Sequence, residues 1–142
     1  MTKRFLIAAV AAGVAVGLAG CGGGGKSSRA DYVQANKTLF ESLPAYPHAT
    51  VASGGTTSYA GKNNSVGYQT RYVVTVPANA TTLKLQSFYA GHLQTDWKLV
   101  AQLDGPVLNF RKGNAFVSVN MTNSAKHKVE VTVDQAFYKH VG

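Results

Sequence analysis

Cysteine is nearly absent: Cys21 is the only one in 142 residues, so no intramolecular disulfide can staple the fold. Acids are also scarce, with six Asp and Glu against fourteen Lys and Arg. Hydrolysis of a glycosidic bond by paired carboxylates needs two opposed acids in one cleft. Here Asp31 and Glu41 fall on one helical segment, Asp96 and Asp104 in turns, and Glu130 and Asp134 on one strand. The four histidines, at 48, 92, 127 and 140, lack the i, i+4 spacing of a helical zinc site. No G-x-S-x-G elbow exposes a serine nucleophile. The expectation is therefore a protein without catalytic residues, metal or cofactor. Charged residues make up 14% of the chain against a usual share of about 25%, which excludes a charge-rich disordered tail. No apolar run reaches the ~20 residues that span a bilayer.

The apolar run that is present opens the chain. Lys3 and Arg4 precede Phe5–Leu18, FLIAAVAAGVAVGL. A positive start, a short apolar stretch and a small-residue exit form the pattern of a secretory signal. Leu18-Ala19-Gly20-Cys21 closes it and resembles the lipobox of bacterial lipoproteins. That resemblance implies a cut between Gly20 and Cys21, with a diacylglyceryl group on the Cys21 sulfur. Residues 1–20 are then a signal peptide, 21–28 a lipid-anchored tether and 29–142 one α+β domain. Removal of Lys3 and Arg4 leaves twelve basic and six acidic side chains, net +6. Acyl chains contribute about 0.8 kcal/mol per buried methylene, so two or more hold a protein stably on a membrane. The tether would reach roughly 15 Å as a random coil, close enough for Lys26 and Arg29 to meet anionic lipid.

Gly20 to Ser27 also fits G-x-x-x-x-G-K-[ST], the phosphate-loop pattern. That chemistry needs a strand before the loop and a helix after it. A signal segment precedes it instead, and four consecutive glycines satisfy the pattern by composition.

The rest of the chain alternates between two periods. Ser28 can cap a helix that Pro44 stops, with Tyr32, Val33, Ala35, Leu39, Phe40 and Leu43 as its apolar stripe. Pro44 and Pro47 frame an extended link, and Ala49–Ala52 is a short strand candidate. Ser53–Val66 is full of turn formers and reads as a long loop, with a weak strand at Thr56–Ala60. Long loops on rigid sheets often bind ligands, which makes Tyr59 and Lys62 candidate contacts; a plain surface loop is the alternative. Gly67–Val76 is a firmer strand with Tyr68, Thr70, Tyr72, Val74 and Val76 on one face. A second helix follows from about Ala80 to Thr95, with Leu85, Phe88, Tyr89, His92 and Leu93 as its core stripe, and Trp97 closes the core beyond it. Four strands end the chain, at 98–103, 107–111, 115–121 and 128–134. Their connections permit hairpins but no parallel crossover, so a meander is expected. Alternation points Leu99, Ala101, Leu103, Leu108, Phe110, Ala115, Val117, Val119, Met121, Val129, Val131 and Val133 inward. Asn109, Arg111, Ser118, Asn120, Lys128, Glu130 and Thr132 point outward. The expected fold is an antiparallel sheet of five or six strands with one or two helices on its apolar face.

Leu43-Pro44-Ala45-Tyr46-Pro47-His48-Ala49, then Phe88-Tyr89, Leu93 and Trp97, is similar to a loose group of small bacterial envelope domains. Those show Tyr-Pro-Gly-Ala and a Gly-Trp pair, where this chain has His48 and Asp96. The resemblance implies a fold and an extracytoplasmic setting, and it carries no activity over to this chain. Export also makes nucleic acid a poor partner. The functional expectation is a lipid-anchored envelope protein that binds a partner or has a structural role. A cell-wall enzyme or enzyme inhibitor is one alternative. Another is a binder of anionic polymers or headgroups through Arg111, Lys112, Lys126 and Lys128.

Overall fold

The structure is a computed structural model that describes residues 27–102 and 105–137. The expected signal segment, Cys21 and most of the expected tether lie outside the described residues, as do Leu103, Asp104, His140 and the side chain of Ala101. Two helices and six strands follow in the order α1 (Arg29–Ser42), β1 (Thr50–Ala60), β2 (Val66–Thr75), α2 (Thr82–Leu93), β3 (Lys98–Gln102), β4 (Val107–Lys112), β5 (Ala115–Asn120) and β6 (Lys128–Asp134). All six strands form one antiparallel sheet in the order β1-β2-β6-β5-β4-β3. The expected α+β fold and its C-terminal meander are both present.

Local chemistry explains each boundary. Ser28 caps α1 in a reciprocal box: its hydroxyl accepts from the Asp31 N–H while the Asp31 carboxylate accepts from the Ser28 N–H. The Ser28 N–H and then the Ser28 hydroxyl, both donating to the Asp31 carboxylate, hold it below its ordinary range. Thr81 caps α2 by accepting from the Lys84 N–H. The chain leaves β2, one strand in from the β1 edge, and crosses the sheet's apolar face through α2. It enters β3 at the far edge and walks back strand by strand until β6 pairs with β2. Helical residues Leu39, Leu85, Tyr89 and Leu93 pack in one core with Val74, Phe110, Val117, Val119, Val129 and Val133 from the sheet. Phe110, Val117, Val119, Val129 and Val133 are completely buried, each side chain contributing about 1.5–3 kcal/mol.

Two expectations need correction. The 53–66 segment is no loop: Thr50–Ala60 is a single edge strand of eleven residues, interrupted by a bulge at Ala52, and only residues 61–65 turn. Glycine-rich strands are weak because they offer no side chain to pack. Here, aromatics from the paired strand supply the packing. Tyr72 lies over Gly54 and Tyr59 over Gly67, each directly across the β1–β2 ladder. The Tyr59 ring leaves no room for a Cβ at position 67, and Phe40 stacks on Tyr72 at 3.8 Å from the helix side. The second correction concerns His92, which is exposed and off the core stripe; its Nδ1 lies 2.8 Å from the Phe88 carbonyl one turn back.

One buried polar residue escaped the periodicity. Asn36 has no exposed surface, and its amide donates to the Tyr68 carbonyl and the Thr70 hydroxyl. Its oxygen accepts from the Gln135 N–H. This side chain ties α1 to β2 and to the turn after β6.

Candidate functional site

The two faces of the sheet have different fates. Both helices cover the inner face, whereas the outer face of β1, β2, β6 and β5 forms an open trough of about 740 Å³. Its floor follows from strand alternation and register. One row runs Gly55, Arg71, Thr132, Ser118 across the four strands. A second row holds Ser53, Val73 and Glu130. The third holds Thr57 and Gln69, with Phe116 beyond them on β5. Four adjacent strands place this floor roughly 14 Å across.

The chemistry of the lining is polar and balanced. Hydroxyls come from Ser53, Thr57, Ser118 and Thr132 and a carboxamide from Gln69. Arg71 and Glu130 form a diagonal ion pair, Nη1 to Oε2 at 3.6 Å, with side chains 64% and 28% exposed. They are the trough's only acid and base among the described residues. Phe116 stands at one end, stacked on Phe137 with ring centroids 4.9 Å apart.

The sequence-derived candidates fall elsewhere, at the margins. Tyr59 is committed to structure: its hydroxyl donates to the buried Asp134 carboxylate, whose other oxygen accepts from the Ala136 N–H at 2.9 Å. Burial, and then the bond to Asp134, push the Tyr59 phenol well above its ordinary value. Lys62 is exposed on the turn, its carbonyl accepting from the Ser65 N–H and hydroxyl. Arg111 and Lys112 lie beside the β4–β5 turn, whereas Lys126 and Lys128 lie at the start of β6. The length of β5, roughly 20 Å, separates the two pairs, so the four cations do not meet in one patch. Arg29 donates to the Thr56 carbonyl on the edge strand at 3.3 Å.

The described histidines serve turns or stay on the surface. His48 and His127 both take left-handed backbone conformations, at φ 60° and 58°. Position 48 is where the envelope-domain pattern carries glycine, the residue that adopts this region at least cost. Among the described residues, no group of three His, Cys, Asp or Glu is placed to hold a metal ion.

Alternation puts Ser118, Glu130 and Thr132 on the outward face, but Ser53, Gly55 and Thr57 fall in the segment expected to be a loop, and none of these residues is read from the sequence as a site. The missing information was the pairing of β2 with β6, about sixty residues apart in sequence, which sets Arg71 beside Thr132 and Glu130. The fold and this face define a class: an α+β domain with one helix-packed and one open, polar sheet face. No family model matches the chain, and neither does any curated protein or solved structure. The functional reading rests on the residues themselves.

Proposed function

We propose that the chain is a lipid-anchored protein of a bacterial envelope, acylated on Cys21, whose domain is a non-enzymatic binding module using the outer sheet face. Leu18-Ala19-Gly20-Cys21 after an apolar segment supports the anchor. Among the described residues, no helix is long and apolar enough to cross a membrane. The trough carries the binding reading. Surface hollows with a few convergent polar groups are the usual place for a ligand, and this one sits on internal strands whose backbones are fixed by pairing. Its single acid–base pair is already joined, which favours recognition over proton transfer.

Labelling of the native host with radioactive palmitate, comparing the wild type with Cys21→Ala, tests the anchor. The wild type is expected to take up label and sediment with membranes, and the variant to do neither. Equal labelling of the two overturns the reading.

A further inference from the structure

We infer that the ligand of the trough is a neutral oligosaccharide; this rests on the binding reading above and narrows it. Three features of the lining select the class. Charge comes first. Among the described residues the one cation in the trough, Arg71, is paired with Glu130, so this floor has no net charge to offer a polyanion. A carboxylate within it repels phosphate and sulfate groups.

Backbone pairing comes second. An extended peptide docks on a sheet chiefly through free main-chain groups at an edge. Of the four floor strands, β2, β6 and β5 are each hydrogen-bonded to a neighbour on both sides, so across them the floor presents side chains and no main-chain ladder. Only β1 has a free edge, at the rim of the trough, and Arg29 already donates to its Thr56 carbonyl.

The side chains themselves come third. Gln69, Arg71 and Glu130 are planar groups with paired donors or acceptors, suited to the neighbouring hydroxyls of a sugar ring. Ser118 and Thr132 add hydroxyls that donate or accept. Phe116 offers an apolar surface to the C–H face of such a ring. An apolar ligand finds little else here, since among the described residues Val73 is the only aliphatic side chain larger than a methyl group in the lining. A floor four strands wide exceeds one sugar ring, which points to an oligomer.

Isothermal titration of the full acylated chain in lipid nanodiscs tests this. The probes are a panel of neutral tetrasaccharides (chito-, cello-, malto- and mannotetraose), polyphosphate, and an uncharged extended peptide. At least one tetrasaccharide is expected to bind, with little dependence on salt. Gln69→Ala and Glu130→Gln should each weaken it about tenfold, the loss of roughly one hydrogen bond to a polar ligand. Lys84→Ala, on α2, should leave it unchanged. Thermal melts of the same variants should match the wild type, so a weaker fold cannot account for the loss. If polyphosphate or the peptide binds in place of the sugars and the trough variants weaken it, the oligosaccharide is overturned while the binding module stands. If no probe binds, or the trough variants leave binding unchanged, both are overturned. Concentration-dependent dimerisation abolished by the same variants would assign the face to a second copy and overturn the oligosaccharide.

Discussion

The two faces of this sheet are written by the same strands and do opposite work. On β5, Val117 and Val119 are completely buried under the helices, while Phe116 and Ser118 between them line an open trough. On β6, Val129, Val131 and Val133 face inward, with Glu130 and Thr132 facing outward. A strand's period of two lets each residue answer to one demand only. The inner set specifies the fold, and the outer set forms the surface on which the proposed binding function rests. That separation predicts how substitutions divide.

The largest effect belongs to the inner face. Phe110→Ala removes a completely buried ring and should cost about 3–5 kcal/mol in denaturant unfolding. Ser118→Ala across the sheet should stay within about 0.5 kcal/mol. Next comes Asn36→Ala, which strands the Gln135 N–H and the Tyr68 carbonyl; a loss of about 2–3 kcal/mol is expected. Equal stability in that variant would show that α1 is held by its apolar contacts alone. Ser28→Ala deletes one arm of the capping box and should cost about 1 kcal/mol, with fraying at the start of α1 visible by amide exchange.

A smaller test uses alkaline pH. Burial raises Tyr89, on the helix-packed side, from the ordinary phenol value of 10 to about 12. The phenol is easier to ionise when unfolded, so its contribution to stability is complete below pH 10 and declines as pH rises toward about 12. The Tyr59 phenol is raised as well and acts in the same direction. Tyr89→Phe should flatten this alkaline loss, as measured by unfolding at several pH values. An unchanged slope would mean that Tyr89 titrates normally.

Much of the fold was legible because local signals agreed. Ser28 and Pro44 bracketed α1, and alternation placed Phe110, Val117, Val119 and Val133 on the buried side. The turns after Lys112 and Asn120 forced hairpins. What stayed hidden depended on distant partners. Ser53–Ser58 carries turn-forming composition and becomes a strand because it pairs along β2, with Tyr72 lying over Gly54. Asn36 looks like an ordinary surface residue of a helix until Tyr68, Thr70 and Gln135 surround it. Similarly, Arg71 and Glu130 stand on strands far apart in sequence, and only the β2–β6 register joins them.

The most direct test of the division between faces is to measure unfolding free energy and tetrasaccharide affinity on the same two variants, Gln69→Ala and Val119→Ala. Gln69→Ala should keep the wild-type stability within about 0.5 kcal/mol and lose affinity. Val119→Ala should lose stability while its folded fraction binds as the wild type does. A Gln69→Ala protein that unfolds as readily as Val119→Ala, or binds as tightly as the wild type, would contradict the account.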